Sequence, residues 1–291
     1  MMLITKPQAG CELIDSGGEE KLERFGDVIL SRPDPQALWP KQKPAEWVKA
    51  NGVYVREGNH RQGRGPASSG GWTGNIPVSW LIEFGGLQMI IKPTSFKHTG
   101  LFPEQLPNWE FVTQELLSKK GAKVLNLFAY TGGATLVAAK AGAEVTHVDG
   151  SKSAVSWARE NAAASGLEDK SIRWMVEDVL TFVTREIKRG SKYDAIIMDP
   201  PAFGHGPKSE IWKIEENFVE LVELCKQLLS DKPLFVLING YAEGYSPLAF
   251  AQNITNLKQK YGGEVQYGEL TIAESNSDRL LPAGIFARWH A

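Results

Sequence analysis

The 291-residue sequence has little of several features that mark specialised protein classes. Its two cysteines, Cys11 and Cys225, lie far apart and form no C-x-x-C pair, which argues against a disulfide framework or a zinc site and favours a reducing compartment. No window approaches the ~20 apolar residues of a membrane span, and the amino terminus turns acidic before any apolar run reaches signal-peptide length. We therefore expect a cytoplasmic protein.

An excess of charge is also missing, because 32 Lys+Arg stand against 34 Asp+Glu. This balance supplies no global field for a polyanion, so a nucleic-acid partner would need a local basic patch. One candidate is the group Arg56, His60, Arg61 and Arg64 around a Gly-rich connection, although we favour the interpretation that these residues belong to a solvated loop. What is present, 42% hydrophobic and 23% charged residues, is typical of a soluble globular protein.

Proline divides the sequence into two regions. Ten of the sixteen prolines occur at or before Pro107, among Gly-rich loops and short β-type runs at residues 27–31, 52–56, 79–84 and 87–91. The pair Gly85-Gly86 predicts a hairpin turn between the last two runs. We expect a small β-rich amino-terminal domain over residues 1–95, which is a candidate for substrate recognition, and a second domain over residues 96–291.

Short apolar runs alternate with helical patterns from residue 123 onward, as expected for a parallel sheet covered by helices. The predicted strands are residues 123–127, 144–148, 172–176, 194–198 and 234–238, and the predicted helices are residues 134–141, 152–165, 179–189, 211–229 and 247–261. Runs at 264–270 and 284–289 follow with no helix between them, so the last strand should be antiparallel. The prediction is an α/β fold with a seven-stranded, doubly wound sheet. Cys225 lies on the apolar stripe of the helix at 211–229, which places its thiol in the core.

A glycine pair, Gly132-Gly133, follows the first of these strands at the turn where a doubly wound sheet binds its ligand. Glycine lets backbone N–H groups at a helix amino terminus approach a ligand without a Cβ in the way. A plain Gly-Gly turn explains the pair equally well, and the spacing does not give the GxGxxG dinucleotide fingerprint.

Acidic residues end the next two strands. Asp149 follows the second strand, where a carboxylate can accept both hydroxyls of a ribose. Asp178 follows the third strand, where it can accept the exocyclic amine of an adenine, with Val179 against the ring. Each acid could instead cap the following helix. Their joint position beside the glycine pair favours a site for an adenosyl group.

The fourth strand runs into Asp199-Pro-Pro-Ala-Phe203. Two prolines fix the backbone and donate no hydrogen bonds, so they hold Asp199 and nearby carbonyl groups as acceptors. Such an acceptor can align a planar nitrogen nucleophile for methyl transfer, and Phe203 can stack a flipped base. The alternative is a strand-ending turn with a core aromatic residue. His205 is a candidate for a general base or a phosphate contact, and Lys208 and Lys213 are candidates for phosphate contacts. All three are otherwise ordinary surface residues.

The strings VLNLFAYTGG, HVDGSKSAVSWARENAAASGL and DPPAFGHGPKSEIWK resemble the bacterial class I S-adenosylmethionine (SAM)-dependent methyltransferase family related to the 23S rRNA cytosine methyltransferases, over roughly residues 90–291. The resemblance implies a Rossmann-like class I methyltransferase fold, SAM as cofactor, no metal, and a base of ribosomal RNA as substrate. The cofactor-binding residues that it implies are Phe102 and Gln105 in a lead-in motif, Phe128, Ala129, Tyr130, Thr131, Gly132, Gly133, Asp149, Gly150, Ser151, Asp178, Val179 and Asp199. The residues implied in catalysis are Asp199, Pro200, Pro201 and Phe203.

The sequence departs from this family at one position. Members that methylate carbon 5 of cytosine have a cysteine after the fifth strand, because a thiolate must add to carbon 6 of the ring, whereas this sequence has Asn239-Gly-Tyr there. We therefore expect a ring or exocyclic nitrogen to receive the methyl group. A methyltransferase for a small molecule or protein and a non-catalytic SAM-binding protein stay as alternatives, and the oligomeric state stays open. An NAD oxidoreductase explains fewer of the motifs.

Overall fold

The computed structural model describes residues 1–56, 70–241 and 244–291. The strands are β1 (Met2–Thr5), β2 (Cys11–Gly17), β3 (Glu20–Phe25), β4 (Val28–Pro33), β5 (Gly52–Arg56), β6 (Gly70–Gly74), β7 (Trp80–Phe84), β8 (Leu87–Ile91), β9 (Lys123–Leu127), β10 (Glu144–Asp149), β11 (Ile172–Val176), β12 (Ala195–Met198), β13 (Phe203–His205), β14 (Ile211–Lys213), β15 (Phe235–Gly240), β16 (Glu264–Ala273) and β17 (Leu280–His290). The helices are α1 (Pro44–Trp47), α2 (Leu106–Leu116), α3 (Gly133–Lys140), α4 (Lys152–Ala164), α5 (Val179–Lys188), α6 (Ile214–Gln227), α7 (Pro247–Gln252) and α8 (Thr255–Tyr261). His60, Arg61 and Arg64 of the candidate basic patch lie outside the described residues, as does the side chain of Arg56.

The chain forms two compact units. The sheet unit comprises Met1–Leu3, Gln105–Leu270 and Gly284–Ala291, and the amino-terminal unit comprises Ile4–Glu104 and Thr271–Ala283. The sequence predicts a boundary at residue 95, so the two divisions differ by Met1–Leu3, by residues 96–104 and by the tip of the carboxyl-terminal hairpin. The tip belongs to the amino-terminal unit because it shares an apolar cluster there. The cluster consists of Leu13, Ala37, Ile272 and Leu281.

An eight-stranded sheet in the order β1-β16-β17-β15-β12-β9-β10-β11 organises the sheet unit. The predicted parallel strands are confirmed, since β9 pairs in parallel with β10 and β12, β10 with β11, and β12 with β15. The predicted antiparallel ending is also confirmed, since β17 pairs antiparallel with β15. The eighth strand, β1, adds to the predicted seven at the edge beside β16, where the Met1 carbonyl accepts the N–H of Glu269 at 3.0 Å.

The central strands are buried on both faces, which is why they are continuous apolar runs in the sequence. All four residues of β12 and the last four of β9 are buried. The strand order reverses between β9 and β12, because the chain continues from β9 to β10 on one side and returns to β12 on the other. Such a reversal creates a crevice at the carboxyl ends of the strands, where open α/β sheets bind ligands.

Two predicted helices differ from the structure. The helix predicted at 211–229 begins only at Ile214, because Ile211–Lys213 pairs with Phe203–His205 as a two-stranded antiparallel ribbon. The helix predicted at 247–261 is two short helices, α7 and α8, separated by a break that places Ile254 in the core. Cys225 is buried on α6, as predicted. Across the described residues, no helix is long and apolar enough to cross a membrane.

The amino-terminal unit contains a five-stranded sheet, β2-β3-β4-β5-β6, and the hairpin β7–β8. The glycine turn of that hairpin is confirmed, since Gly85 and Gly86 have φ angles of 59° and 74°. Strands β2, β3 and β6 were not predicted. Two of them, β2 and β3, contain the charged residues that usually mark exposed segments, yet several of these charges are buried in ion pairs. Glu23, for example, is 1% exposed and bonds to Arg32 at 2.5 Å.

Buried ion pairs also hold the carboxyl-terminal hairpin tip in this unit. Arg279 donates from Nε to Glu274 at 3.0 Å and from Nη2 to Asp15, and both carboxylates are almost fully buried. Burial alone would raise the pKa of Asp15, but the indole N–H of Trp47, two backbone N–H groups and the guanidinium of Arg279 together hold it below its ordinary value. The tip is therefore attached by interactions between residues more than 250 positions apart in sequence.

Candidate functional site

The turn between β9 and α3 has an unusual backbone. Phe128 and Tyr130 have φ angles of 53° and 46°, in the left-handed region that residues other than glycine seldom adopt. Gly132, which precedes α3, has a φ of 90°. Left-handed non-glycine residues cost about 1–3 kcal/mol each and concentrate at functional sites. The backbone is thus strained at the carboxyl end of the central strand, where the crevice opens.

The glycine pair in this turn also has a packing role that the sequence does not reveal. A Cβ on Gly133 would lie 2.1 Å from Cζ2 of Trp109, and a Cβ on Gly132 would lie 3.0 Å from Cβ of Ala158. Trp109 belongs to α2 and Ala158 to α4. Both helices therefore pack against the start of α3 at distances that only glycine permits.

Asp149 fixes the turn from the neighbouring strand. Its carboxylate oxygens accept the N–H of Tyr130 and the N–H of Ser151, each at 2.8 Å. Burial raises the pKa of Asp149, and the two N–H donors only partly oppose this effect. Ser151 also caps α4 through its hydroxyl, which accepts the N–H of Ala154 at 3.2 Å. Asp149 thus joins the loops that follow β9 and β10 into one rigid structure.

Asp178 caps a helix, which was the alternative interpretation of this residue. Its Oδ1 accepts the N–H of Thr181 at 2.8 Å at the start of α5. Val179, the first residue of that helix, is buried. The preceding residue, Glu177, pairs with Arg185 through both terminal nitrogens, and its N–H donates to the Asp149 carbonyl at 3.1 Å. The ends of β10 and β11 are therefore connected directly.

Buried polar side chains pack behind the turn that follows β9, and the sequence analysis did not predict them for the site. Asn126 donates to the hydroxyl of Thr135 at 2.9 Å, and that hydroxyl lies 2.9 Å from Nδ1 of His147. Burial lowers the pKa of His147 to about 3, so its ring is neutral. Asn161 donates to the Thr131 carbonyl at 2.9 Å. The turn thus rests on neutral hydrogen-bonded groups rather than on an apolar layer.

A second buried network lies at the carboxyl end of β15. Gln105 donates to the hydroxyl of Tyr241 at 2.5 Å, and Asn108 donates to Gln105 at 3.0 Å and to Asn239 at 2.8 Å. Gln105 was predicted for the site, whereas Asn108, Asn239 and Tyr241 were not. Their signal is the i, i+3 spacing of Gln105 and Asn108 together with the polar residues at the carboxyl end of the fifth parallel strand. Asn239 begins the segment in which the related cytosine-C5 methyltransferases have their cysteine.

Phe102 belongs to the amino-terminal unit, where its ring lies 5.6 Å from that of His98. Its contact with a cofactor stays a prediction. Gln105 directly precedes α2 and Phe203 lies in β13, and the remaining predicted residues follow the carboxyl ends of neighbouring strands in the sheet unit. They are residues 128–133 after β9, 149–151 at the end of β10, 178–179 after β11 and 199–201 after β12.

The Asp-Pro-Pro turn is connected to the end of β9 and to the turn that follows it. The Asp199 N–H donates to the Leu127 carbonyl at 3.3 Å, and the indole N–H of Trp212 donates to the Pro201 carbonyl at 2.7 Å. The Trp212 ring also packs edge-on against Phe128, with centroids 4.8 Å apart. Trp212 is 4% exposed. It is a residue that the sequence did not predict for the site, because its neighbours continue the apolar pattern of a helix.

Phe203 lies in the ribbon β13–β14 that follows the Asp-Pro-Pro turn. It is 52% exposed, so it is not the core aromatic of the alternative interpretation. His205 and Lys208 are exposed as well. The turn of the ribbon lies against the Asp149 loop, since a Cβ on Gly150 would be 3.2 Å from the His205 carbonyl oxygen. Across the described residues, no three His, Cys, Asp or Glu side chains are grouped as metal ligands.

The family model for S-adenosylmethionine-dependent methyltransferases matches residues 36–248, which include all of these turns and the lead-in residues Phe102 and Gln105. The chain belongs to this family. The methyltransferase is also similar to a solved SAM-dependent methyltransferase from Agrobacterium tumefaciens, with 36% identity and a TM-score of 0.91 over 100% of this chain and 93% of that one. The Rossmann-like fold and the SAM cofactor are therefore confirmed.

Two curated relatives of the methyltransferase have names that state a substrate. Ribosomal RNA large subunit methyltransferase I of Aeromonas salmonicida is 31% identical over 84% of this chain and 57% of the relative. Ribosomal RNA large subunit methyltransferase K/L of Ectopseudomonas mendocina is 34% identical over 55% of this chain and 21% of the relative. The chain thus spans little more than half the length of one relative and a fifth of the other.

Proposed function

We propose that the methyltransferase binds SAM at the carboxyl ends of β9 to β12 and transfers the methyl group to a nitrogen of a base in ribosomal RNA. Asp149 suits the ribose, because each carboxylate oxygen accepts one backbone N–H and keeps a further lone pair for a hydroxyl donor. Asp178 suits the adenine amine, because its helix cap uses Oδ1 and leaves Oδ2 as an acceptor. Val179 lies beside it. These acceptors thus match the hydroxyl and amine donors of an adenosyl group.

The remaining proposed cofactor contacts come from the strained turn after β9, from the segments that follow β10 and β12, and from the residue before α2. They are Gln105, Phe128, Ala129, Tyr130, Thr131, Gly132, Gly133, Gly150, Ser151 and Asp199. When bound, SAM supplies a methyl group activated by its sulfonium. The protein's own task is then to hold the nucleophile in line and to exclude water.

Asp199, Pro200, Pro201 and Phe203 perform that task in this proposal. The Asp199 carboxylate accepts a hydrogen bond from the N–H of the nucleophilic nitrogen, and the prolines keep its backbone from moving. The observation that carries the proposal is the connection of this acceptor to residues 128–133, the turn after β9 that we propose for the cofactor and call the cofactor turn. The Asp199 N–H bonds to the Leu127 carbonyl at the start of that turn, and Trp212, which bonds to the Pro201 carbonyl, packs on Phe128. Phe203, exposed four residues later, offers its ring to the base.

The two thiols of the chain favour a nitrogen over carbon 5 of cytosine. Cys225 is 2% exposed in the core under α6, and burial raises the pKa of its thiol far above the ordinary value. Burial likewise raises the pKa of Cys11 in the amino-terminal unit. A thiol in such surroundings stays protonated and is a poor nucleophile. A nitrogen that attacks the methyl group directly requires no cysteine.

Ribosomal RNA is proposed as substrate because the similar methyltransferases from Aeromonas and Ectopseudomonas are named for the large ribosomal subunit. The β-rich amino-terminal unit is proposed to contribute to substrate recognition.

The test is transfer of labelled methyl from SAM to total RNA, to ribosomal subunits that lack modifications, and to a protein extract. We expect label in ribosomal RNA from the wild type, and a loss of at least about 100-fold in Asp199→Ala, because the nucleophile loses its aligning acceptor. SAM affinity of the variant, measured by calorimetry, separates loss of catalysis from loss of cofactor binding.

Nucleoside digestion of the labelled RNA then identifies the product. A base methylated on nitrogen supports the proposal, whereas 5-methylcytosine would refute the proposed nucleophile. Label confined to protein, or no transfer despite tight SAM binding, would refute the substrate.

A further inference from the structure

The ribbon β13–β14 presents two faces of opposite character. Phe203 pairs with Lys213 and His205 with Ile211 across the ribbon, so these four side chains share one face. Phe203 and Ile211 are 52% and 59% exposed, and His205 is exposed too. The intervening pair puts Trp212, which is buried, on the other face. An exposed aromatic ring, an imidazole and an aliphatic side chain therefore lie together in solvent.

The buried face holds the ribbon in place. Trp212 donates to the Pro201 carbonyl at 2.7 Å and packs on Phe128 of the cofactor turn. At the other end, the His205–Gly206 backbone lies against Gly150. The exposed face thus has a fixed position next to the Asp-Pro-Pro turn, and a ligand bound there meets a surface that needs little ordering.

The chemistry of the exposed face suits an unpaired nucleotide. Base faces stack on aromatic and imidazole rings, and they are accessible only where the strand is unpaired, since a duplex covers them. The ribbon also provides Lys208 and Lys213 for phosphate. The one carboxylate between them, Glu210, is turned back on the ribbon and accepts the Lys208 N–H at 2.8 Å. Lys213 pairs with Glu216 at 2.7 Å at an exposed position, where a phosphate can compete for it.

We propose that the pair His205–Ile211 binds the unpaired nucleotide next to the base that is methylated at Asp199. The inference rests on the proposed function, in which Phe203 stacks the methylated base. The Phe203 and His205 rings lie edge-to-face with centroids 5.0 Å apart and planes 88° apart, so bases stacked on the two rings are splayed from each other, as bases of an unpaired strand can be. The substrate is then an unpaired RNA strand of two or more nucleotides, and a free nucleoside or small molecule is a poor one.

The test uses the ribosomal RNA segment that receives label, synthesised as a single strand, in a normal form and with an abasic site beside the target base. Wild-type enzyme should show a KM for the abasic strand about tenfold higher, because stacking on one base is lost. The double variant His205→Ala, Ile211→Ala should show that higher KM for the normal strand and no further rise for the abasic strand. Its SAM affinity should equal that of the wild type.

Val219→Ala is the matched control, since Val219 is 61% exposed on α6 of the same unit. It should keep the wild-type difference between the two strands. If the double variant keeps that difference as well, the subsite is refuted while the proposed function stands. If wild-type enzyme labels no RNA, the proposed function itself fails. Transfer to a protein that only the ribbon variant abolishes would assign this face to a protein substrate and overturn the inference.

Discussion

The cofactor half of the site and the ribbon are built in different ways. In the cofactor half, which comprises the turns after β9, β10 and β11, the decisive contacts are made by backbone N–H groups, buried acids and glycines in tight packing. In the ribbon, the side chains of Phe203 and Ile211 face solvent and make few contacts that hold the fold together. Under the proposed function, the difference implies that cofactor recognition depends on backbone shape, which tolerates little change, whereas substrate recognition uses side chains that can be exchanged without unfolding the protein.

The largest effect is expected from Gly133→Ala in the cofactor half. Its Cβ would lie 2.1 Å from the Trp109 ring, so α2 and α3 must separate or the turn must shift. We expect a loss of about 1–3 kcal/mol in the free energy of unfolding, measured by urea denaturation, together with weaker SAM binding.

Two variants sharpen this prediction. The same change at Gly71, where a Cβ meets nothing within 4 Å, should leave stability nearly unchanged. Adding Trp109→Leu to Gly133→Ala should recover part of the lost SAM affinity, because the obstructing ring is removed. Equal stability loss at both glycines would show that the close packing is not the cause.

Asp149→Asn should weaken SAM binding strongly with a smaller effect on the fold. An amide keeps one acceptor oxygen, so the N–H of either Tyr130 or Ser151 loses its partner, and the ribose loses an anionic acceptor. We expect the Kd for SAM to rise about 10- to 100-fold, equivalent to ~1.4–2.8 kcal/mol. Calorimetric titration with SAM measures this, and an unchanged Kd would remove Asp149 from the cofactor site.

The same carboxylate predicts a pH dependence of SAM affinity. Burial raises the pKa of Asp149 above its ordinary value of 3.8, so its carboxylate is protonated at a higher pH than in an unfolded chain. Affinity should fall as the pH drops through that raised pKa, by up to about tenfold per pH unit. Because the folded pKa is raised, protonation of Asp149 itself favours the folded state, and unfolding followed over the same pH range separates the loss of affinity from acid unfolding caused by carboxyls with lowered pKa, such as Asp15. In Asp149→Asn the profile should lose this step.

The smallest effect is expected from Trp212→Phe, which acts where the two halves meet. The ring remains to pack on Phe128, but the Pro201 carbonyl loses its donor. We expect a loss of about 1 kcal/mol in stability and a several-fold lower kcat, with the Kd for SAM unchanged. Trp212→Leu, which also removes the ring contact, should lower kcat further. A wild-type kcat in Trp212→Phe would show that the hydrogen bond does not position the Asp-Pro-Pro turn.

The parts of the fold that depend on local patterns were predictable. The central parallel strands β9, β12 and β15 are apolar runs because both faces are buried. The turns after β9 and β12 contain Gly132-Gly133 and Asp199-Pro-Pro, whose backbone chemistry is visible in the sequence. The position of Asp149 at the carboxyl end of β10 was predictable from the same apolar pattern.

The remaining parts depend on contacts between distant segments. The ribbon was missed because Ile211 and Trp212 continue the apolar period of α6, and only pairing with Phe203–His205 makes them a strand. Strand β1 and the hairpin tip held by Arg279 join the two ends of the chain, which no local pattern reveals. The network of Gln105, Asn108 and Asn239 likewise connects α2 to β15 across more than a hundred residues.

The most direct test of this two-part site is to measure both the Kd for SAM and the KM for the labelled RNA strand in Asp149→Asn and in Phe203→Ala. The account predicts that Asp149→Asn raises the Kd for SAM and, at saturating SAM, leaves the KM for RNA near the wild-type value. Phe203→Ala should raise the KM for RNA about tenfold and leave the Kd for SAM unchanged. If either variant shifts both constants together, the site is not divided between a cofactor half and a substrate ribbon, and the account is contradicted.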